Sequence, residues 1–354
     1  MEPLYLHEGI QRFFVMKKRS KPTPNKALAR IIFLTAAPIL CLLAGLCLGR
    51  MSISPGDVWA AILARMGRGA VSGQIESVVW NIRLPRLILA AVSGAGLSVA
   101  GCAFQSQFSN PLATPDTLGV ASGASFGAAL ALLLGFSLIG VQLTALCFGL
   151  LAVGLTALSG ARMESRSTPI LAGIMVGSLF NALVSLIKFL ADTESQLPAI
   201  TYFLMGSLES ADYRTLALGV PPILLGILIL FLLRWRMNLL PLSDDEAAAS
   251  GVNVPALRRT VQLCATLITA SCVSMCGQVG WVGLLIPHIC RMRFGSNHVS
   301  LLPASISLGA CFMILVDTAA RTVSPKEIPI SILTAILGAP FFIYLLRKSG
   351  GWSL

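Results

Sequence analysis

Two pairs of charged residues at helical spacing are the residues of this sequence best suited to bind an ion or a charged partner. Arg83 and Arg86 stand three apart in the segment IRLPR, so they share one face at the start of a helix. Asp317 and Arg321 stand four apart and can form an ion pair on one helix face. The two arginines of IRLPR can anchor the chain to lipid head groups or serve a functional contact, and their sequence leaves both interpretations open.

The other titratable and nucleophilic residues form no catalytic or metal-binding pattern. His288 follows Pro287, which should kink its apolar run, and a single histidine there is more often a packed polar group than a ligand. The nine cysteines include no C-x-x-C pair, and Cys272 and Cys276 share a helix face without a histidine or acidic neighbour, which favours buried, reduced thiols. The sequence has no G-x-x-x-x-G-K-[ST] phosphate loop and no clear carboxylate relay inside the membrane. We therefore expect no enzyme activity and no metal site, but a transport pore powered by another chain.

The polar stretch Ser243–Arg259 interrupts the apolar sequence and predicts a short helix, a turn and a second helix. Ser243 and Glu246 fit a capping box, and the two aspartates between them suit the positive end of a helix. Gly251 suits a left-handed helix end, and Pro255 suits the first turn of the next helix. A solvated connector without a partner is the alternative interpretation, although such a well-specified helix is unusual for a connector.

The bulk composition predicts an integral membrane protein. The chain has 354 residues, of which 55% are hydrophobic and 12% charged, whereas soluble domains carry about 25% charged residues. The apolar runs are too long and continuous for the alternating strands of a membrane barrel. The net charge of +11 lies mostly in short loops beside apolar runs, which argues for membrane topology and against nucleic-acid binding.

Runs of membrane length predict ten spanning helices with both termini in the cytoplasm. The predicted spans lie at about 31–48, 87–106, 118–136, 141–159, 170–190, 214–233, 258–276, 277–293, 301–317 and 330–346. This orientation puts 17 of the 26 lysines and arginines on the inner side, as the positive-inside rule requires. We expect a basic cytoplasmic tail at 1–26, with Met16 as an alternative start, one transmembrane domain at 27–348 with its cytoplasmic loop at 243–259, and a cytoplasmic tail at 349–354.

The segment 109–123 predicts a broken helix at membrane depth. Two prolines and a glycine-rich end interrupt the apolar run beside Asn110 and Asp116. Such a break is tolerated only where protein or water surrounds it. Gly119, Gly123 and Gly127 then recur at every fourth position and predict the close approach of a neighbouring helix.

Five segments together resemble the FecCD-type permeases, the membrane subunits of binding-protein-dependent ABC importers for iron–siderophores, heme and cobalamin. Over residues 30–348 they read, in order, IRLPR, SGAGLSVAGCAFQSQFSNPLATPDTLGVASGASFG, LSDDEAAASGV, GWVGLLIPHICR and EIPISILTAILGAPFFIYLLRK. The resemblance implies an all-α type II ABC importer permease (BtuC-like) that forms a homodimer or heterodimer with a second permease subunit around a pore. It also implies two ABC ATPase subunits, which carry ATP and Mg²⁺, and a periplasmic or lipoprotein substrate-binding protein, at the inner membrane of a bacterium.

The resemblance further implies roles for residues at matching positions. Coupling to the ATPase is implied for Ser243, Asp244, Asp245, Glu246, Ala247 and Gly251. Docking of the binding protein is implied for Arg83, Arg86 and Arg321. A cytoplasmic gate on the translocation path is implied for Asn110, Pro111, Leu112 and Ser167. Ser243, Ser250 and Arg166 depart from the residues that are commoner in the family at these positions.

Several functions remain open at the level of sequence. Ferric siderophore is the cargo that the resemblance favours, with heme and cobalamin as alternatives, and no cofactor is expected on this chain. An ion-coupled secondary carrier would need an internal ion site and would transport without an ATPase. A membrane sensor or scaffold would show no flux of solute.

Overall fold

The described part of the chain is α-helical and has no β-strand. A computed structural model describes residues 24–68, 70–160, 168–242, 244–324 and 326–348. The helices are α1 Pro24–Cys47, α2 Pro55–Arg65, α3 Gly73–Ser77, α4 Leu84–Gln107, α5 Val120–Leu133, α6 Leu138–Gly160, α7 Thr168–Leu190, α8 Gln196–Leu204, α9 Tyr213–Leu233, α10 Asp244–Ala249, α11 Val254–Cys276, α12 Val282–Phe294, α13 His298–Thr322 and α14 Ile330–Lys348. A π-helical stretch, Val78–Arg83, joins α3 to α4, and 3-10 turns occupy Pro115–Leu118 and Arg236–Leu239.

Seven of the described helical segments are long and apolar enough to cross a membrane. They are Leu28–Cys47, Gly73–Gln107, Leu138–Ser159, Ile170–Leu190, Tyr213–Leu233, Val254–Cys276 and His298–Thr322. Two shorter apolar helices, Val120–Leu133 and Ile330–Tyr344, accompany them. An all-helical membrane protein is thereby confirmed, while the count of ten spans stays a prediction.

Two of the predicted spans are half-length helices that follow a break. α5 has 14 residues, and α12 has 13. At about 1.5 Å per residue each reaches roughly 20 Å, short of a hydrocarbon core of about 30 Å. α5 follows Gly119, whose φ is 72°, and α12 follows the non-helical stretch 277–281. The break predicted at 109–123 is present, whereas the second break replaces the simple kink expected at Pro287.

α4 lies at the centre of the molecule and contacts α9, α11, α12 and α13. A Cβ atom at Gly94 would overlap the carbonyl oxygen of Gly309 in α13, and one at Gly101 would overlap the carbonyl of Gly283 in α12. Glycine is therefore required where these backbones touch. The predicted contacts of Gly123 and Gly127 follow the same rule, because their Cβ atoms would meet backbone carbonyls of α6.

α4 and α13 run antiparallel, which gives the molecule two ends that are used below. At one end the first turn of α4 meets the last turn of α13, where Arg86 contacts Asp317. At the other end Ser106 contacts His298, the first residue of α13, and His298 also contacts Asn238, which lies six residues before α10 in the chain. We call these the Arg86 end and the α10 end.

Candidate functional site

The segment predicted to couple to an ATPase forms a short helix at the α10 end. α10 spans Asp244–Ala249, and Gly251 follows with a φ of 74°. α11 then starts at Val254, where the Asn253 side chain accepts a hydrogen bond of 3.0 Å from the N–H of Ala256. The predicted helix, turn and second helix are therefore present. Ser243 lies outside the described residues, and its capping box stays a prediction.

One side of α10 is fixed to the membrane domain and the other is exposed. Ala247 is fully buried, and so are Met237 and Leu240 in the preceding turn. Glu246 and Gly251 are exposed. Because the buried side ties the helix to the bundle, a force applied to its exposed side would be carried into the membrane domain.

The predicted gate segment, Ser109–Leu112, folds back against the end of α4. Ser109 adopts a left-handed conformation with φ 49°, which costs a non-glycine residue free energy. The N–H of Asn110 donates to the carbonyl oxygen of Gln105 at 3.1 Å, and the Asn110 side chain accepts from the N–H of Leu112 at 2.9 Å. Pro111 follows, and Leu112 is 39% exposed. A few hydrogen bonds therefore hold the segment, and it exposes an apolar side chain at its tip. Ser167, the other predicted gate residue, lies outside the described residues.

An ion-pair cluster holds the Arg86 end together. Asp317 accepts from Arg86 Nε at 2.7 Å and from Arg321 Nε at 3.1 Å, so the predicted pairing of Asp317 with Arg321 is present. Arg86 Nη1 also lies 2.8 Å from a carboxylate oxygen of Glu327. Asp317 has no exposed surface, and Arg86 and Arg321 are 5% and 6% exposed. The cluster joins α4, α13 and the segment before α14 by buried, charge-assisted hydrogen bonds.

The structure places the three arginines of the predicted docking role in buried contacts within the chain, and that role stays a prediction. Arg83 is 3% exposed and donates to the carbonyl oxygens of Leu46, in the last turn of α1, and of Met51, just after it. Arg86 and Arg321 both donate hydrogen bonds to Asp317 within the ion-pair cluster. Because each guanidinium is buried against partners of its own chain, none is free to contact a carboxylate of another protein in this conformation. The sequence suggested exposure because IRLPR lies beside a loop, but the acceptors come from distant parts of the chain.

A second polar cluster, at the α10 end, was not identified from the sequence. Arg291 donates to the side-chain oxygen of Gln105, whose amide nitrogen lies 3.3 Å from the Gly283 carbonyl oxygen. His298 contacts Ser106 through Nε2 and Asn238 through Nδ1, the latter at 2.9 Å. The five side chains come from α4, the turn Arg236–Leu239, α12 and α13. They are spread over four segments of the chain, so only tertiary structure shows that they meet.

The remaining candidates behave as packed side chains. His288 is 8% exposed and its ring packs edge-on against Phe342, with ring centres 5.8 Å apart. The nine cysteines are unpaired. Within the described ranges no group of three histidine, cysteine or acidic side chains could hold a metal ion.

A small internal cavity lies between the two helix breaks. Its volume is about 40 Å³, and it is lined by Leu97 in the middle of α4, by Thr114–Asp116 and by Gly280, Trp281, Gly283 and Leu284 at the start of α12. One water needs roughly 10–15 Å³ of such volume, so two or three fit. Half-helices that start at a hydrated point inside the bilayer are typical of transporters, which use them to form a path.

Comparisons with known proteins agree with this architecture. The model of the FecCD transport family matches residues 37–348. The chain is 40% identical over 327 residues to the molybdate import system permease protein MolB of Haemophilus influenzae, covering 91% of this chain and 97% of MolB. It is 39% identical over 279 residues to a probable iron chelatin transport system permease protein of Helicobacter pylori, covering 78% of this chain and 84% of that protein.

Further relatives carry other cargo names. A hemin transport system permease protein of Yersinia pestis is 37% identical, and the match covers 76% of this chain and 83% of that protein. A cobalamin import system permease protein of Halobacterium salinarum is 35% identical, and the match covers 83% of this chain and 81% of that protein. A solved inward-facing conformation of a metal-chelate type ABC transporter matches with a TM-score of 0.82 and 40% identity, over 90% of this chain and 99% of that one. The chain belongs to the FecCD transport family.

Proposed function

We propose that this chain is the permease subunit of an ATP-driven importer that receives an iron complex from a substrate-binding protein. The family match over residues 37–348 carries the proposal. The fold supports it through a bundle of membrane-length helices, two half-helices around a cavity, and α10 standing apart at one end. The sequence has no G-x-x-x-x-G-K-[ST] phosphate loop, so in this proposal a separate subunit hydrolyses the ATP.

In this proposal the α10 end faces the cytoplasm of a bacterium, and both termini lie on that side of the inner membrane. The sequence topology assigns 17 of the 26 lysines and arginines to this side, as the positive-inside rule requires. α10 docks on one of two ABC ATPase subunits, where ATP and Mg²⁺ bind. Asp244, Asp245, Glu246, Ala247 and Gly251 belong to the docking helix and its turn, and Ser243 would cap it.

The Arg86 end then faces the binding protein. Docking by buried arginines would require the ion-pair cluster to open, so we assign the contact to the exposed cations of the same end. They include Arg50, whose side chain is 56% exposed, and Arg65, Arg68 and Lys326. Exposed charges of this kind steer a partner of opposite charge and make association sensitive to salt.

The gate between these two ends is proposed to be the segment Ser109–Leu112, closed by a matching segment of a second permease subunit. Leu112 exposes its side chain at the tip, where it can meet an apolar partner. ATP-driven closure of the ATPase pair would move α10 and open or close this segment, which is coupling between two sites through a two-state element.

The cargo has two candidate classes, an iron complex and molybdate. A ferric siderophore agrees with the family and with the iron chelatin relative, and heme and cobalamin remain alternatives within the same class. The similarity to MolB, which extends over 97% of the MolB sequence, favours molybdate as a second candidate. The binding protein, not this chain, should distinguish them, because it selects the cargo before docking.

The test is affinity purification of the tagged chain from its native membrane in mild detergent, followed by mass spectrometry. We expect an ATPase subunit and a binding protein, and that binding protein is then titrated with a ferric siderophore, hemin, cobalamin and molybdate. A second permease in the sample would identify a heterodimer. Recovery of the chain alone, active under an ion gradient, would instead support a secondary carrier and contradict the proposal.

A further inference from the structure

We propose that His298 is a positioning residue that transmits a movement of α10 to the gate segment Ser109–Leu112. This inference rests on the proposed function, since it assigns a route for the coupling between the ATPase side and the gate. It concerns residues that the sequence analysis did not identify and that lie in neither the coupling helix nor the gate.

His298 joins three separate elements at the α10 end. It is the first residue of α13 and is 2% exposed. Its Nε2 contacts the Ser106 hydroxyl near the end of α4. Its Nδ1 and its backbone N–H both lie 2.9 Å from the side-chain oxygen of Asn238 in the turn Arg236–Leu239. A single buried imidazole therefore bridges α4 to the turn that precedes α10.

The hydrogen bonds of Asn238 fix the orientation of that imidazole. The Asn238 amide nitrogen donates to the carbonyl oxygen of Trp235 and to the side-chain oxygen of Asn297, each at 3.1 Å. Its oxygen is then left to accept from His298, so Nδ1 carries the proton. In the neutral ring Nε2 is then an acceptor, and the Ser106 hydroxyl can donate its one proton either to Nε2 or to the Cys102 carbonyl oxygen, 2.8 Å away. All four hydrogen-bonding positions of Asn238 are used, which makes the bridge rigid.

Both ends of the bridge lead directly to functional segments. Asn238 stands six residues before Asp244, and the connection is stiffened by Pro241 and by a hydrogen bond of 3.2 Å from the Leu242 N–H to the Leu239 carbonyl oxygen. At the other end, the N–H of Ser109 lies 3.3 Å from the Ser106 carbonyl oxygen. A displacement of α10 therefore reaches the first residue of the gate segment through one side-chain bridge.

The competing interpretation is that His298 only stabilises the start of α13. That role would change the amount of folded complex but would not change how much cargo is moved for each ATP hydrolysed. The two roles are therefore separated by measuring uptake and ATP hydrolysis on the same assembled complex.

The experiment uses the complete complex of permease, ATPase and binding protein in lipid vesicles, with the cargo identified for that binding protein. The variants are His298→Ala, Ser106→Ala and the double variant. Ser106→Ala removes one hydroxyl from a helix and should fold normally, so it keeps the test valid where His298→Ala assembles poorly. Ser307→Ala is the control, because its buried hydroxyl on α13 has no hydrogen-bond partner in the described part of the chain.

We expect each single variant to lower the cargo moved per ATP roughly tenfold, within the range of ordinary coupling energies. ATP hydrolysis by the assembled complex should persist, and Ser307→Ala should match the wild type. Because both residues act in one bridge, the double variant should lose no more than either single variant. The role of His298 would be overturned if the losses of the two single variants multiplied in the double variant. It would also be overturned if the cargo moved per ATP stayed unchanged, including the case in which uptake and hydrolysis fall together. A wild-type complex without ATP-dependent uptake would instead overturn the proposed function itself, and this inference with it.

Discussion

Replacing Asp317 with alanine would leave two buried guanidinium groups without the carboxylate that they share. Asp317 has no exposed surface and accepts hydrogen bonds of 2.7 Å from Arg86 and 3.1 Å from Arg321. After the substitution Arg86 keeps Glu327, at 2.8 Å. Arg321 keeps only long contacts, to the Gly45 carbonyl oxygen at 3.3 Å and the Thr318 hydroxyl at 3.4 Å. Arg321 therefore becomes the uncompensated buried charge.

The size of the effect follows from these contacts. Each hydrogen bond to a charged group contributes about 1.5–3 kcal/mol, so losing two predicts roughly 3–6 kcal/mol. Removing one partner of a buried ion pair generally costs about 3–5 kcal/mol. We therefore expect Asp317→Ala to lower the free energy of unfolding by about 4 kcal/mol. Glu327→Gln should cost about 1 kcal/mol, because Asp317 still pairs with both arginines.

The assay is equilibrium unfolding of the purified chain in mixed micelles of mild detergent and dodecyl sulfate. A second substitution provides the decisive control: Arg321→Met in the Asp317→Ala background removes the unpaired charge and should recover part of the loss. A cost below about 1 kcal/mol for Asp317→Ala, with no recovery by Arg321→Met, would refute the view that this cluster holds the Arg86 end together.

Three further predictions test other parts of the account. Gly94→Ala should cost about 1–3 kcal/mol of unfolding free energy, because the new methyl group overlaps the backbone of Gly309, whereas Gly154→Ala meets open space and should be neutral or slightly stabilising. Glu246→Arg should abolish co-purification of the ATPase while leaving the unfolding free energy of the isolated chain unchanged; normal co-purification would contradict the coupling role. The hydrogen bonds from Thr215 hold the pKa of the Asp212 carboxyl, at the start of α9, below its usual range. The stability gained from this cap is present above about pH 4 and is lost as pH falls through the lowered pKa. Asp212→Ala should therefore lower the free energy of unfolding by about 1 kcal/mol at pH 7 and by progressively less in acid. A cost that does not change with pH would contradict this.

The parts of the fold that local sequence controls could be predicted. The helix over Asp244–Ala249, its end near Gly251 and the first turn at Pro255 depend on neighbouring residues, and the structure has all three. The same holds for the pairing of Asp317 with Arg321, since residues four apart on a helix must be neighbours.

The burial of the arginines could not be predicted, because it depends on residues far away in the chain. The partners of Arg83 lie 37 and 32 residues away, and Asp317 lies 231 residues from Arg86. A basic residue beside a loop reads as exposed unless those acceptors are known. The sequence did contain Asp317, an acidic residue within an apolar run, and such a residue is expected to find a buried partner.

The break before α12 and the bridge at His298 were missed for a related reason. Hydropathy identifies an apolar run, but it does not show whether the backbone of that run is helical throughout, as the break before α12 demonstrates. His298, Ser106 and Asn238 lie in three separate segments of the sequence, each near a span end. Only the packing of α4, α13 and the turn Arg236–Leu239 brings them together.

The measurement that tests the central claim most directly is uptake of cargo into vesicles that contain this chain and its ATPase. The ATPase faces the inside of the vesicles, where ATP is supplied, and the loaded binding protein is added outside. The cargo is tested as a labelled ferric siderophore and as labelled molybdate. The account predicts uptake of one of them that requires both ATP and the binding protein, and that Glu246→Arg abolishes. Uptake driven by an ion gradient in vesicles without the ATPase would contradict it.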